Sequence, residues 1–382
     1  YATVLHSLHQ YPPALDAIER ALAIAPGSIP ARLMHMTVLI SLKRAEEAEV
    51  EAEHALKIMP HETWIHEKLA LLLRQRADFT RAIEDEQHVI AAAAAGKPGF
   101  SALEVARFTD DPTILARIAR MSDAAQGIPR TPPVARPLDD RPLNIAYLSG
   151  DLHNHAVGHM LVDVLEAHDH HRFRILTAAT SLAAPGAEGL RLRQLADEHL
   201  HLGDCDDAEA IRRLRKAEVD ILVDLGGATE SGRPGILVGR PAATQILWMG
   251  CPVSTGSSWY DAWLVDEYVA VPGYEQHVSE PLIRLPCCFH PITSGDRQTI
   301  PATLSRSELG LPVGVPVLAA LHQSIKVSAE MIDAWFRITA SHPLAVLWLA
   351  VTNPSARDLL RTRAQTNGLD PQRLLFTPYE SD

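Results

Sequence analysis

Leu143-Asn144-Ile145-Ala146-Tyr147-Leu148-Ser149-Gly150-Asp151-Leu152-His153-Asn154-His155-Ala156-Val157-Gly158-His159-Met160 is the stretch on which the fold turns. An apolar run over Leu143–Ser149 stops at Ser149-Gly150-Asp151, a loop carrying His153, His155 and His159 follows, and a helical pattern sets in over Val157–Ala167. Strand, loop and helix in that order open a βαβ unit. Ligands of open α/β sheets bind outside the carboxyl ends of the strands, so the histidine loop is the first candidate site.

The same alternation continues downstream. Strands are expected over Phe173–Ala178, His199–Leu202, Val219–Leu225 and Thr244–Met249, with helical stretches over Ala187–Glu198 and Ala208–Ala217 between them. Short strands separated by helices of this length give a parallel sheet. Ile221-Leu222-Val223 and Ile246-Leu247-Trp248 are uninterrupted apolar runs, which suits strands covered on both faces. Two more strand ends carry small, polar loops: Asp224-Leu225-Gly226-Gly227-Ala228-Thr229 running on to Pro234, and Met249-Gly250-Cys251-Pro252-Val253-Ser254-Thr255-Gly256. Glycines there let a ligand approach the backbone, and Thr229 offers a hydroxyl.

After a proline-containing segment the pattern restarts. Strands are expected over Val315–Leu321, Leu344–Ala350 and Arg373–Phe376, with helices over Ala329–Ser341 and Ser355–Asn367. This is the first half of a second doubly wound domain. Its first loop holds Gln323 and Lys326, and Lys326 lies just before a helix, beside the positive end of its dipole, where a phosphate is favoured. The pattern GxxxxGK[ST] is absent, so the loop is not a P-loop.

Upstream, residues 1–95 carry an internal repeat. Ala14, Ala48 and Ala82 are spaced by 34, and so are Leu22, Leu56 and Ile90, and Pro26 and Pro60. Small residues let paired helices approach, large ones fill the groove to the next pair, and proline stops the second helix. A helix–turn–helix period of 34 residues is the tetratricopeptide signature. Tyr1 aligns with His35 and Leu69, so further repeats are expected upstream, as the rest of the second domain is expected after Asp382. Two short helices follow the repeats, roughly Ser101–Phe108 and Pro112–Ala125, and the proline-rich stretch from Gly127 to Pro142 is a linker.

The bulk numbers narrow the function classes. A net charge of −12 argues against general affinity for nucleic acid or an anionic membrane, and no apolar run is long enough to span a bilayer. Cys205, Cys251 and the adjacent pair Cys287-Cys288 form no CxxC or zinc-ligand spacing, which favours a reducing, cytoplasmic setting. The Cys287-Cys288 pair reads as buried small apolar residues. His155 and His159 have the i, i+4 spacing of a zinc pair, but no third ligand stands nearby in the pattern and Gly158 weakens an early helix there, so no metal is expected.

Read together, the loops resemble the protein O-linked N-acetylglucosamine transferases and SPINDLY proteins. The resemblance is carried by Asn154-His155, by Arg240-Pro241-Ala242 with Gln245, Trp248, Gly250-Cys251-Pro252, Gly256 and Asp261, and by Gln323, Lys326 and Val346-Leu347-Trp348-Leu349. It implies an α-solenoid of tetratricopeptide repeats (1–95), a connector (96–142), a Rossmann-like domain (143–300) and the first half of a second (301–382), the glycosyltransferase B arrangement. It also implies inverting, metal-independent transfer of a sugar, most simply N-acetylglucosamine from UDP-GlcNAc, to Ser or Thr hydroxyls, with no cofactor beyond the nucleotide sugar and with protein or peptide acceptors bound by the repeats.

By the same resemblance His155 is the acceptor-side histidine proposed as general base, and Lys326 neutralises the departing diphosphate. Gln323 is the neighbouring donor contact, and Thr229, Met249 and Gly250 line the sugar pocket. Ala156, Cys251 and Ile325 depart from the family pattern and leave the sugar open, GDP-fucose being the alternative donor. A repeat-based scaffold with an inactive core is the alternative function, and this piece of chain by itself is expected to be inactive.

Overall fold

The computed structural model describes residues 1–7, 10–126, 141–229, 231–291, 305–322 and 324–377. The linker expected over Gly127–Pro142 and the segment from 292 to 304 thus fall almost wholly outside the described residues. The chain forms two compact units, Tyr1–Ala92 with Gln298–Asp382, and Ala93–Arg297.

The first unit begins with helices α1 (Ala2–Ser7), α2 (Tyr11–Ile24), α3 (Ile29–Ser41), α4 (Ala45–Ile58), α5 (Thr63–Gln75) and α6 (Phe79–Ala94). Helices α2, α4 and α6 start at 11, 45 and 79, and α3 and α5 at 29 and 63, so the 34-residue spacing of the sequence is a spacing of helices. Ala14, Ala48 and Ala82 have no exposed surface, as positions where two helices touch require. Lys43 and Ala77, also 34 apart, both adopt positive φ (60° and 59°) in the turns after α3 and α5. Glu49 of α4 accepts from Arg76 and from Arg81 (2.7 Å), fastening one hairpin to the next.

The second unit opens with α7 (Ala102–Val105) and α8 (Pro112–Gln126). Asp111 caps α8 by accepting from the Thr113 amide at 2.8 Å, with Pro112 in the first turn. The sheet follows: β1 (Leu143–Ser149), α9 (Ala156–Ala167), β2 (Phe173–Ala179), α10 (Gly186–Leu195), β3 (Glu198–His201), α11 (Asp207–Lys216), β4 (Ile221–Asp224), α12 (Pro234–Val238), β5 (Thr244–Leu247), β6 (Ala262–Val265) and β7 (Leu282–Arg284). Its order is β3-β2-β1-β4-β5-β6-β7 with every pairing parallel.

Strand β1 is buried on both sides, as its apolar run demands. Ala146 and Leu148 join Leu214 of α11 and Ile236 of α12 in one core, while Ile145 and Tyr147 join Leu161 and Leu165 of α9 and Leu192 of α10 in another. The chain leaves β1 toward β2 on one side and reaches β4 on the other, so the order reverses between β1 and β4. That reversal is the switch point where an open α/β sheet holds its ligand. Leu148 pairs with Asp224 and Asp224 with Leu247, so the loops after β1, β4 and β5 leave the sheet from one level.

The first unit resumes with β8 (Val317–Ala320), α13 (Ala329–Ser341), β9 (Val346–Ala350), α14 (Pro354–Thr366) and β10 (Leu374–Thr377). These make a parallel sheet in the order β10-β9-β8. Its core includes Phe336, Leu347 and Leu360 together with Ala77 and Phe79 of the helical arm.

The structure adds two elements to those expected and corrects one expectation. Strand β6 and the short helix α12 were not expected; both are brief apolar runs beside Trp or Pro, with too few residues to show a period. Cys287 and Cys288 are exposed rather than buried. Phe289 takes the core position instead: it is 1 % exposed, its amide donates to Asp266 (2.6 Å) and its carbonyl accepts from the Trp248 indole (3.1 Å), which turns the cysteines outward. Among the described residues, no helix is long and apolar enough to cross a membrane.

Candidate functional site

Each loop at the carboxyl edge is held in shape by buried or half-buried side chains that hydrogen-bond to it. In the first, Ser149 Oγ accepts from the Asp151 amide at 2.9 Å, and Ser181 after β2 donates to the Gly150 carbonyl at 2.6 Å. Helix α9 begins at Ala156 with His155 as its N-cap: the ring Nδ1 accepts from the Val157 amide at 3.2 Å. Gly158 sits in the first turn for a steric reason rather than as a helix weakener. A Cβ there would lie 2.2 Å from the His153 carbonyl oxygen, so only glycine lets the helix start this close to the histidine loop.

The second loop is organised by Asp224, the last residue of β4. Its carboxylate accepts from the Gly226 amide (3.1 Å), the Gly227 amide (2.9 Å) and the Tyr260 hydroxyl (2.6 Å). Complete burial pushes the Asp224 carboxyl above its ordinary range, against the opposing pull of those donors. Tyr260, also fully buried and facing that carboxylate, is held well above the usual phenol range. Gly227 adopts φ +54° and Gly232 leaves no room for a Cβ against the Gly227 carbonyl oxygen (2.4 Å), so the loop folds back on itself.

The third loop leaves β5 through Met249, which adopts φ +70°, and Gly250, where a Cβ would fall 1.8 Å from the Leu225 carbonyl oxygen. Beneath it the buried Glu280 accepts from Ser254 Oγ (2.6 Å), the Thr255 amide (2.8 Å) and Thr255 Oγ1 (2.5 Å).

These loops enclose an open cavity of about 390 Å³ lined by Asp151, His155, Val157, Thr229, Ser231 and Gly250. Its polar character follows from where the protons go. Thr229 Oγ1 donates to the Gly226 carbonyl (2.7 Å) and Ser231 Oγ donates to Asp151 Oδ2 (2.7 Å), and neither of those partners can donate in return. The two hydroxyls, 3.2 Å apart, therefore present lone pairs, as the carboxylate does. His155 supplies the opposite polarity. Because Nδ1 accepts from an amide, the neutral ring carries its hydrogen on Nε2. A wall of three acceptors and one donor suits a ligand rich in hydroxyl groups.

Of the residues singled out in the sequence, His155, Thr229 and Gly250 are brought to this one cavity. Met249 is 2 % exposed and packs in the core behind it. Lys326 belongs to the other unit, exposed in a 3₁₀ turn (Ser324–Lys326) ahead of α13, whose N-cap Ser328 accepts from the Met331 amide. Gln323 lies outside the described residues. Among the described residues, no group of three or more His, Cys, Asp or Glu is placed to hold a metal. Sequence reasoning quoted the loops containing Asp151, Asp224 and Ser231 without giving these residues a part. Tyr260 and Glu280 carry no local signal, since the chain brings them under the loops only through β6 and β7.

Arg240, Gln245 and Asp261, which carried much of the resemblance, do not face the cavity. Arg240 pairs with Asp261 (3.1 and 3.0 Å) and donates to the Trp259 carbonyl (2.7 Å), while Asp261 also accepts from the Gln245 amide (2.8 Å). They clasp α12 and β5 to the segment that carries Tyr260.

With this geometry in place, the comparison with known proteins is specific. Residues 130–300 match the family described as glycosyl transferase family 41, a span that contains the sheet and all three loops. The match takes in just under half of the chain. Similar proteins include an Arabidopsis thaliana protein named probable UDP-N-acetylglucosamine–peptide N-acetylglucosaminyltransferase SEC, 28 % identical over 250 residues, covering 64 % of this chain and 26 % of the relative. The Arabidopsis thaliana protein of the same description named SPINDLY is 27 % identical over 251 residues, covering 63 % and 26 %. The chain thus spans about a quarter of the length of the curated relatives it matches. Its fold is that of an O-GlcNAc transferase mutant from Thermobaculum terrenum, with a TM-score of 0.78 at 24 % identity over 100 % of this chain and 74 % of that one.

Proposed function

We propose that this chain is part of an enzyme that transfers a sugar from a nucleoside diphosphate to Ser or Thr hydroxyls of proteins, with inversion and without a metal, and that the donor is UDP-GlcNAc. The observation that carries the reading is the cavity at the β1/β4 switch point of a segment that matches family 41, where Asp151, Thr229 and Ser231 present acceptors and His155 a donor. Sugar hydroxyls need such partners, and inverting displacement needs a group that takes the proton of the attacking hydroxyl. The relatives' names supply the donor and the peptide acceptor.

In this reading Lys326 neutralises the departing diphosphate and Gln323 contacts the donor beside it, as a cation is needed where charge develops. Gly250 and Thr229 contact the sugar, and Met249 supports that contact from the core. The 34-residue helix pairs are tetratricopeptide repeats that hold protein acceptors, and the two parallel sheets are the Rossmann-like halves of a glycosyltransferase B arrangement working in the cytoplasm.

The test is sugar transfer by the full-length protein to a mixture of peptides, with UDP-GlcNAc and GDP-fucose supplied separately and the products read by mass spectrometry. Transfer of N-acetylglucosamine that persists in EDTA and falls at least a hundredfold in Lys326→Ala is expected. Transfer from neither donor overturns the reading; transfer from GDP-fucose alone replaces the donor.

A further inference from the structure

The transferase reading requires a proton acceptor at the cavity, and the present inference rests on that reading. His155 is the residue that resemblance suggests, but its geometry is that of a donor. Nδ1 accepts from the Val157 amide, which can only donate, so the proton of the neutral ring is on Nε2. To take a proton at Nε2 the ring must first adopt the other tautomer, setting Nδ1–H against the amide and giving up the cap of α9. Thr229 and Ser231 are neutral alcohols whose own protons are committed. Asp224 is buried behind its loop and saturated by three donors.

Asp151 differs from all of these. It lines the cavity and its side chain is 22 % exposed. Oδ2 is fixed by the Ser231 hydroxyl at 2.7 Å, and its backbone by Ser149. Oδ1 has, among the described residues, no donor within hydrogen-bond distance; His153 Nε2 stands 3.8 Å away. One oxygen is anchored and the other is left to accept. We propose that Asp151, not His155, takes the proton of the acceptor hydroxyl. The hydroxyl O–H bond breaks with its proton passing to Asp151 Oδ1, and the freed oxygen bonds to the anomeric carbon. The bond from that carbon to the diphosphate breaks, its electron pair leaving on the diphosphate oxygen. Asp151 then returns its proton to water, and His155 Nε2–H orients an oxygen of the substrate.

The test is steady-state transfer by the full-length protein with Asp151→Asn, Asp151→Gly, Ser231→Ala and His155→Gln, each checked for an unchanged melting transition. Asparagine still accepts from Ser231, so Asp151→Asn isolates the loss of the base. The expected result is a fall in kcat of about 10²–10⁴-fold in Asp151→Asn, with the KM for nucleotide sugar within threefold of wild type. Added formate restores part of the rate to Asp151→Gly, which a purely structural role for Asp151 cannot produce. Ser231→Ala, which breaks the same link between loops, loses at least tenfold less than Asp151→Asn. A kcat for Asp151→Asn within threefold of wild type, or a loss matched by Ser231→Ala, overturns this proposal while leaving the transferase reading intact. Absence of transfer by the wild-type protein overturns that reading and this proposal with it.

Discussion

The hydroxyl of Tyr260 stands 2.6 Å from Oδ2 of Asp224, and both residues are buried, directly beneath the glycine loop that carries Thr229 and Ser231. Tyr260 comes from a segment 36 residues further along the chain, so the loop is shaped by a contact made only when β4, β5 and β6 are side by side. Removing the hydroxyl leaves the carboxylate with two amide donors in a site without water access. Loss of one partner of a buried, charged hydrogen bond costs about 1–3 kcal/mol. Tyr260→Phe is therefore expected to lower unfolding free energy by that amount in urea titrations. It also loosens the Thr229 loop, read as faster amide exchange at Gly226 and Gly227. Wild-type exchange at both glycines speaks against the contact as the organiser of the loop.

Gly250 tests the approach of the third loop to the second. A Cβ at this position overlaps the Leu225 carbonyl oxygen at 1.8 Å, and backbone cannot swing aside as a side-chain tip can. Gly250→Ala is expected to destabilise the fold by about 2–4 kcal/mol, in the range of overpacking and backbone clashes. Gly27→Ala, where nothing lies within 4 Å, serves as the control and changes little. Equal effects of the two substitutions in thermal melts are the outcome that removes the argument.

How much of this was legible in the sequence depends on the range of the cause. Strand β1 and helix α13 follow from local periodicity and have the bounds expected of them, and the 34-residue repeat reappears as the spacing of α2 to α6. The three loops were visible because glycine and polar residues interrupt apolar runs. What the loops do was not visible. The roles of Asp224 and Ser231 depend on Tyr260 and Asp151, 36 and 80 residues away along the chain. Arg240 and Asp261 show the converse: a pattern that marks the family proves to be a clasp between β5 and its neighbours. Family resemblance locates such residues without saying whether they touch a ligand or hold the loops that do.

His199 on β3 gives the fold a pH dependence with a definite sign. Burial first, and then the charges of Arg193 and His201, press its ring down to about 4 from an ordinary 6.5. A depressed value means the native state prefers the neutral ring, so this stabilisation is present above pH 6.5 and is lost as the pH falls through 6.5 toward 4. A shift of this size corresponds to about 3.4 kcal/mol, which partial solvent exposure of the ring reduces to roughly 1–2 kcal/mol. His199→Gln can keep the contact with Thr177 (2.9 Å) and has no such titration. Relative to that variant, the wild type is expected to lose about 1–2 kcal/mol between pH 7 and pH 4. Denaturation curves for the two proteins that stay parallel across this range contradict the assignment.

His155 makes a last prediction that stands apart from catalysis. As N-cap of α9 it adopts extended backbone angles (φ −146°, ψ 159°) and satisfies the Val157 amide through Nδ1. Side-chain acceptors at this position are worth about 0.5–2 kcal/mol relative to alanine. Asparagine can supply the same acceptor without the ring, whereas alanine supplies none. Both substitutions remove the Nε2–H donor from the cavity, so both lower transfer, yet only one removes the cap. His155→Ala is therefore expected to be less stable than wild type by about 1 kcal/mol, and His155→Asn to lie within about 0.5 kcal/mol of it by the similar cap ranking of polar residues. Urea titration of the three proteins separates the two roles. If alanine and asparagine variants unfold at the same urea concentration, the ring nitrogen is not sustaining the helix start, and His155 is then free to adopt the tautomer in which Nε2 accepts.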